Sequence, residues 1–540
     1  MALCSKTKVD LPKEGVMVRR SGKYRTVYKV TKTFRNSKGQ PTNERVTIGR
    51  LDEESGMLVP NDNYWKHYGE TTIELLPAYD SVRSVGASFL ISSVFKSLGI
   101  TDILESCLSH ERAKLSLTAA LYMAVRGNVF EHVLEFCEGF TLHERPLSSQ
   151  SASKLFASIT YDERMAFFKA WVSRHKSRAY LAYDVTSLSS YAEGIQDTEW
   201  GYNRDGDRLA QLNLGCYLSQ ESSLPVFYVT YPGSIVDKSH LSYMMAYNSE
   251  LGIEDVGFVM DKGFCTTDNV RYMKGSGLDF VMGVEIGHKA TRDAVDAVRH
   301  GMVSMRNRII QGIYAKSVRG TFYGAYTTMH IYHDTGLAER QRRDLFRTVE
   351  SWEERLAQLK QLTIREAKRY SAYFTVDLAK DGSFTYRRDY DKIDAAALNN
   401  GYFCILTNTH MDSSEVLEIY RRKDMLEKGF DDLKNHIDMK RMHTHTTATT
   451  DGKLFLAFIA LIAVSEVQVR LKTMMREKSW SKDVIIAELE KIKVVSASDG
   501  KRLMNPITKT QRLIFEPFAL SEDDLRAYVT ATPDRHFVCA

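Results

Sequence analysis

The chain has 540 residues, a size at which a single hydrophobic core no longer suffices, so we expect two or more modules around one large domain. Hydrophobic residues make up 43% of the sequence and aromatic residues 11%, which excludes a mainly disordered protein. The formal net charge is only +5, so the overall charge does not by itself indicate a nucleic-acid partner.

The cysteine spacing and the hydropathy pattern exclude two further classes. The seven cysteines are scattered without a Cys-x-x-Cys pair, which argues against a structural zinc site and a disulfide framework. The longest apolar run, at residues 454–464, is about half of what a bilayer span requires, and we expect a buried helix there. With no signal-peptide pattern at the start, we expect a cytoplasmic protein without a membrane partner.

Positive charge is concentrated in the first fifty residues. They contain thirteen Lys and Arg residues against three acids, Asp10, Glu14 and Glu44. A local excess of about ten charges, interleaved with aromatic residues, is what a segment that follows a DNA backbone needs. The alternative is a solvated, twisted hairpin without a nucleic-acid partner.

The hydrophobic period divides the chain. Residues 16–58 alternate as short strands around an Asn36 to Gly39 turn, which predicts a basic β-rich module at residues 1–75. A helical period then predicts a DNA-binding or dimerisation region at residues 76–178. No function is assigned to residues 477–540.

From residue 179 the pattern changes to strands. Strands at residues 179–184, 211–217 and 225–230 are followed by helix, strand, helix and strand up to about residue 283. This order is typical of a ribonuclease-H-like core, and we place its first part at residues 179–285. Residues 286–400 are predicted as an insertion domain, with β-like pieces at 321–326 and 373–377 and a charged helix near 338–370. The core resumes at residues 401–476 with a strand and two helices, 413–436 and 452–476. The predicted fold class is therefore α/β: a mixed-sheet core interrupted by an insertion, after a β module and a helical region.

Two aspartates are associated with the predicted core strands. Asp184 ends or interrupts one apolar strand, and Asp261 directly follows another. If these strands are parallel neighbours, the two carboxylates lie side by side, where catalytic groups are favoured in open α/β sheets. A single aspartate after a strand is more often a helix cap or a turn residue, so the pair needs a third ligand.

The helix predicted at residues 413–436 supplies that third carboxylate. It opens with a capping-box pattern, Asp412-Ser-Ser-Glu415, and its apolar stripe packs on the sheet. The next arc of the helix borders the core and carries Tyr420, Lys423, Glu427 and Lys434. The alternative for Glu427 is a surface ion pair with Lys423 or Lys434.

Three carboxylates from two strands and one helix suit two Mg²⁺ ions about 4 Å apart, and Mn²⁺ is expected to substitute for Mg²⁺. The metal ligands and catalytic residues are then Asp184, Asp261 and Glu427. Lys423 and Lys434 are candidates for holding DNA phosphates, and Tyr420 for stacking on the DNA strand or, alternatively, for packing in the core.

These motifs resemble the DDE transposases of the insertion sequence 4 family, in particular its insertion-sequence-1634-like group. The helix follows the family's Y-x2-R-x3-E-x6-K signature as Tyr420, Lys423, Glu427 and Lys434, with Lys423 where Arg is usual. The segments around the first acid, Asp184, and the second, Asp261-Lys-Gly-Phe, also match, and the resemblance spans roughly residues 20–475.

The resemblance implies Mg²⁺-dependent DNA cleavage at terminal inverted repeats and strand transfer into target DNA. It also implies a homodimer or a higher synaptic assembly, associated with a prokaryotic nucleoid. Two alternatives stay open: a two-metal DNA nuclease without joining activity, and a catalytically inert DNA-binding protein derived from a transposase.

Overall fold

A computed structural model describes residues 8–22, 24–68, 79–139, 146–175, 180–192, 194–201, 208–235, 237–497 and 502–531. The backbone contacts divide the chain into two units. The first comprises Met1–Asp80 and Ser496–Lys501, and the second comprises Ser81–Val495 and Arg502–Ala540.

The first unit is built on a four-stranded antiparallel sheet in the order β1-β2-β3-β4. Its elements are β1 (Val16–Ser21), β2 (Tyr24–Arg35), β3 (Pro41–Leu51), β4 (Leu58–Pro60) and helix α1 (Asp62–Tyr68). Its small core contains Val27, Ile48 and Leu58. The predicted turn between β2 and β3 is confirmed: the Asn36 side-chain oxygen accepts hydrogen bonds from the backbone N–H groups of Lys38 and Gln40.

Six α-helices lie within the described residues 86–139 and 146–175, as the helical period of this part of the sequence predicts. They follow strand β5 (Tyr79–Ser84) and are α2 (Gly86–Ser97), α3 (Ile100–Cys107), α4 (His110–Arg126), α5 (Val133–Gly139), α6 (Ser149–Ser158) and α7 (Tyr161–His175). Ser109 and Ser148 fix the starts of α4 and α6, because each hydroxyl accepts a hydrogen bond from a backbone N–H of the first turn.

The second unit is centred on a nine-stranded mixed sheet. The elements from residue 180 to residue 478 are β6 (Tyr180–Ser190), β7 (Ala210–Ser219), β8 (Pro225–Pro232), α8 (Asp237–Leu251), β9 (Gly257–Met260), α9 (Thr267–Gly275), β10 (Phe280–Val284), α10 (Lys289–Arg299), β11 (Arg308–Ile310), β12 (Ile313–Phe322), β13 (Ala325–Asp334), α11 (Thr335–Gln358), α12 (Ile364–Tyr370), β14 (Phe374–Leu378), β15 (Phe384–Arg388), α13 (Tyr390–Ala397), β16 (Tyr402–Thr407), α14 (Ser413–Arg422), α15 (Asp424–Asp431) and α16 (Thr447–Lys478).

The strand order in this sheet is β11-β12-β13-β16-β10-β9-β6-β7-β8. Strands β6, β9 and β10 are parallel to one another, whereas the other neighbouring strands are antiparallel. The predicted succession of three strands, helix, strand, helix and strand is confirmed for residues 180–284. Strands β7 and β8 form an antiparallel hairpin.

The segment predicted as an insertion is divided between two places. Strands β11, β12 and β13 extend the central sheet, and β13 pairs with β16. Helices α11, α12 and α13 and the β14–β15 hairpin surround a separate cluster that contains Val349, Tyr370 and Phe374. The single helix expected near 338–370 is in fact two, because Thr363 and Glu366 form a capping box that starts α12. The β-like piece expected at 321–326 contains a two-residue turn at Tyr323 and Gly324, both with positive φ.

Helix α16 is the longest helix among the described residues and is largely buried. By length and composition it could cross a membrane, as could α2 and α3 counted as one segment bent by 70°. However, 83% of its most apolar window is buried inside the protein, where it packs against α2, α4 and α6. The expected buried helix at residues 454–464 is therefore confirmed, since each of these side chains is at most 3% exposed.

The last described elements are α17 (Lys482–Leu489), β17 (Lys493–Ala497), β18 (Arg502–Met504), α18 (Lys509–Phe515) and α19 (Glu522–Ala531). The two strands form a three-stranded sheet with β5, in the order β18-β17-β5.

The contact between α16 and α6 makes a prediction about Gly452. A Cβ atom on Gly452 would overlap the backbone carbonyl of Phe156, which no side-chain rotation can relieve. We expect Gly452→Ala to destabilise the protein by about 1–3 kcal/mol, measured as a lower thermal midpoint. Gly275→Ala is the matched control, because a Cβ atom on this helical glycine meets no atom within 4 Å. Equal midpoints for the two variants would contradict the close packing of α6 on α16.

Candidate active site

Asp184 and Asp261 lie at the same level on two neighbouring strands. Strands β6 and β9 are parallel, and Tyr183 is in register with Met260. The residues that follow these two, Asp184 and Asp261, are therefore level with each other. The expectation that these strands are parallel neighbours is confirmed. Asp184 lies in the middle of β6 and is 9% exposed, and its Oδ1 accepts a hydrogen bond of 2.8 Å from the Val185 N–H. The Asp261 side chain follows the end of β9 and is 43% exposed.

The helix that carries the third carboxylate is not continuous. The sequence predicts one helix at 413–436, but α14 ends at Arg422, α15 starts at Asp424, and residues 432–436 form a π-helical turn. The predicted capping box is confirmed: Asp412 Oδ1 accepts from the Ser414 and Glu415 N–H groups, and the Glu415 carboxylate accepts from the Asp412 N–H.

The apolar side of this helical segment faces the core, as predicted. Leu426, Phe430, Leu433 and Ile437 are buried, and Ile419 is half-buried. Gly283 of β10 has no side chain, which leaves room for the Tyr420 ring above the sheet. Helix α14 also packs on β9 and α15 on β6, so the segment is held against the strands that carry the two aspartates.

Lys423 connects the helix to the aspartates. Its side chain is 5% exposed, and its Nζ lies 2.9 Å from Glu427 Oε1 and 4.0 Å from Asp261 Oδ1. The Tyr420 hydroxyl donates a hydrogen bond of 3.2 Å to the same Asp261 oxygen. The Glu427 side chain is 61% exposed, so it can move more freely than Lys423.

The charge of Lys423 is stabilised where it lies. Burial lowers the pKa of its ammonium, but the hydrogen bond from Lys423 to Glu427 and the charges of Asp261, Asp184 and Glu427 outweigh burial and raise this pKa above its ordinary value. All three acidic side chains therefore act on one buried cation. Burial raises the pKa of the Tyr420 hydroxyl, and the charges of Asp261, Glu427 and Asp424 raise it further, so this hydroxyl stays protonated.

The start of α14 is fixed by a buried histidine that the sequence does not single out. His330 of β13 is 1% exposed, and its Nδ1 lies 2.9 Å from Ser317 Oγ and 3.0 Å from Ser413 Oγ. The Tyr332 hydroxyl donates to the Ser413 carbonyl. Burial lowers the pKa of His330 to about 4, so the ring is neutral and forms hydrogen bonds without adding charge.

Comparison with known proteins assigns the family. The sequence matches the transposase DDE domain over residues 175–463, more than half of the chain and a range that contains Asp184, Asp261 and Glu427. The chain belongs to the DDE transposase family. It is an enzyme that acts as a transposase.

Likeness to other known proteins adds little to this assignment. The cryo-EM structure of a piggyBac transposase synaptic complex with hairpin DNA is similar over 84% of this chain and 84% of that chain, at 9% sequence identity and a TM-score of 0.35. At that TM-score the likeness does not assign a fold. No curated protein matches the sequence.

The carboxylates of the transposase have the chemistry of a divalent-metal site. Carboxylate oxygens are the hard ligands that Mg²⁺ and Mn²⁺ prefer, and a cationic ammonium already lies beside them. Among the residues that the structure describes, no three His, Cys, Asp or Glu side chains are close enough together to hold a metal ion. The donors therefore fit a divalent cation, but Glu427 is paired with Lys423 instead of meeting both aspartates.

A groove opens beside Asp261. It has a volume of about 730 Å³ and is lined by Lys262, Glu285, His288 and Tyr323 among others. The His288 and Tyr323 rings stack at 4.8 Å. The more exposed of the two aspartates can thus be reached from solvent through this groove.

Helix α17 of the C-terminal region holds the π-helical turn at residues 432–436, which carries Lys434, in place. Lys482 of α17 forms an ion pair with Asp432, which is 1% exposed. The neighbouring Asp483 lies 2.8 Å from His436 Nδ1, and the other ring nitrogen of His436 lies 2.9 Å from the Ala124 carbonyl. Lys434 itself is half-buried. Sequence reasoning assigned no role to this region, because the two partners are about fifty residues apart and neither forms a motif.

The buried ion pair of Lys482 and Asp432 is expected to contribute to the free energy of unfolding. We expect Lys482→Met to destabilise the transposase by about 3–5 kcal/mol, because it leaves the buried Asp432 carboxylate without its counterion. The double variant Lys482→Met, Asp432→Leu removes both charges, and we expect most of the loss to be recovered in its thermal midpoint. Lys169→Met is the control, since this exposed lysine pairs with the exposed Glu250 at the surface. A double variant as unstable as the single one would show that the pair is not what braces the turn.

Proposed function

We propose that this transposase catalyses Mg²⁺-dependent cleavage of DNA at the ends of its element and strand transfer into a target, as a cut-and-paste enzyme of the insertion sequence 4 family and its insertion-sequence-1634-like group. In this proposal the nine-stranded sheet is a ribonuclease-H-like core. The observation that supports it best is the level placement of Asp184 and Asp261 on adjacent parallel strands, with the Lys423 and Glu427 side chains of the helical segment beside them.

The catalytic and metal-binding residues of the proposal are Asp184, Asp261 and Glu427. When bound, two Mg²⁺ ions, or Mn²⁺ ions in their place, supply a more acidic water or 3′-hydroxyl and stabilise the leaving oxygen at phosphorus. Strand pairing fixes the two aspartates, whereas the exposed Glu427 is the ligand that adjusts its position. Tyr420 orients Asp261 through its hydroxyl.

The proposed partner is DNA, as terminal inverted repeats and as target. Tyr420, Lys423 and Lys434 are the proposed DNA contacts of the catalytic core. The basic module at residues 1–75 and the helices at 76–178 are the proposed end-binding parts. Because two element ends are cut and joined together, we propose a homodimer or a higher synaptic assembly, associated with the nucleoid of a prokaryotic cytoplasm.

The first test replaces each proposed metal ligand by its isosteric amide, as Asp184→Asn, Asp261→Asn and Glu427→Gln. We expect each variant to lose at least about a hundredfold in Mg²⁺-dependent cleavage and joining of a DNA fragment with the element's ends, because even residues that only support metal ligands cost about 10–100-fold. DNA binding, measured in parallel by fluorescence anisotropy, should persist.

The control for this test is Glu418→Gln, which alters an acid of α14 that pairs with Arg422 at the surface, away from the aspartates. Cleavage without joining by the native protein would indicate a nuclease. Binding without any cleavage, or amide variants as active as the native protein, would indicate a DNA-binding protein whose carboxylates are structural.

The second test concerns the basic module. Four of its exposed cations, Arg19, Arg20, Lys32 and Arg35, are changed together to Gln. We expect weaker binding to element-end DNA, and a slope of log affinity against log salt that falls by up to about 0.9 for each DNA phosphate that the variant no longer neutralises.

The matched control for the module removes four exposed cations of α11: Arg340, Arg342, Arg343 and Arg347. If both sets reduce the salt dependence equally, the positive charge of the module acts only as general surface charge, and its assignment as the end-binding part is wrong.

A further inference from the structure

The Lys423 ammonium occupies a position that suits a cation of the catalytic site. Its side chain is 5% exposed, although lysine is rarely buried without a partner. Its Nζ lies within 4.0 Å of Asp261 and forms a hydrogen bond with Glu427, and the Asp184 charge acts on it as well.

In the protein without metal, the Lys423 ammonium reduces the electrostatic repulsion between the carboxylates. Asp184 and Asp261 lie level on adjacent strands, and their negative charges repel more strongly because Asp184 is almost fully buried and poorly screened by water. One ammonium among them compensates part of this charge. Lys423 is the residue between the end of α14 and the start of α15, and this backbone position places its side chain beside the carboxylates.

The same placement conflicts with a bound metal ion. A divalent ion about 2 Å from the Asp261 and Glu427 oxygens would lie close to the Lys423 ammonium, and the two positive charges repel at short distance. In the metal-free arrangement Glu427 accepts the hydrogen bond from Lys423, and no three acidic, His or Cys side chains among the described residues are close enough together to hold a metal ion.

We propose that Lys423 is an exchangeable counterion of the transposase: it holds the carboxylates in the metal-free protein, leaves them when a divalent metal ion binds, and is then available to a DNA phosphate. The inference rests on the proposed function, since it takes Asp184, Asp261 and Glu427 as the metal ligands. In this exchange, the binding of the metal ion releases Lys423, and its ammonium can then contact a DNA phosphate.

The test measures binding of Mn²⁺ alone, without DNA, from the electron paramagnetic resonance signal of the free ion. Lys423→Met should bind Mn²⁺ at least about tenfold more tightly than the native protein, because a competing unit charge about 4 Å away has been removed. Lys423→Arg keeps the charge and should bind no more tightly than the native protein. Lys428→Met, which removes an exposed lysine of α15, should leave the affinity unchanged.

A second measurement uses the native protein and so does not depend on how a variant folds. An amine-reactive reagent with mass-spectrometric detection should modify Lys428 readily and Lys423 poorly without metal. Saturating Mn²⁺ should increase the modification of Lys423 severalfold and leave that of Lys428 unchanged.

Two results would overturn the inference in distinguishable ways. If the native protein binds Mn²⁺ and Glu427→Gln does not, but Lys423→Met binds like the native protein and the labelling of Lys423 does not respond to metal, Lys423 is not a counterion and the proposed metal site stands. If neither the native protein nor any variant binds Mn²⁺, the metal site of the proposed function fails, and the exchange fails with it.

Discussion

The candidate site requires several carboxylates to stay near one another although their negative charges repel. Asp184 is nearly buried, Asp261 lies level with it on the next strand, and Glu427 approaches from the helical segment. Each added negative charge raises the cost of the arrangement, since burial weakens solvation and like charges repel. The buried ammonium of Lys423 compensates this negative charge. The surrounding helices and strands hold the helical segment in the position that keeps Lys423 beside the carboxylates.

Two anchors outside the carboxylate group hold this segment at its ends. At the start, the neutral His330 joins Ser413 to the strands of the central sheet by hydrogen bonds. At the far end, the buried Lys482–Asp432 pair ties the π-helical turn to α17. The anchors come from regions that lie before and after the segment in the chain, so an inserted strand and a C-terminal helix both contribute to positioning Glu427 and Lys434.

The sequence predicts the parts of the site that depend on local patterns and misses those that depend on distant contacts. The strands around Asp184 and Asp261, the Asp412 capping box and the apolar stripe ending at Ile437 follow from residue periodicity, and the structure contains them. By contrast, the joining of β11–β13 to the sheet depends on pairing across some seventy residues of chain with β16. The break at Lys423 is equally invisible, since helical periodicity continues through it and only the surrounding carboxylates give that residue a reason to be buried.

The identity of residue 423 as lysine has a physical consequence of its own. Lysine carries a compact charge on a flexible stem, whereas arginine presents a planar fork that binds a carboxylate through two parallel hydrogen bonds. An arginine at this position would hold Glu427 or Asp261 more firmly and would be harder for a metal ion to displace. The single hydrogen bond from Lys423 to the exposed Glu427 is easier to break, and a break there moves only side chains, because the strand pairing of the aspartates and both anchors of the helical segment remain in place. A lysine is thus the residue type that suits the exchange we propose, in which the cation is present without metal and leaves when metal binds.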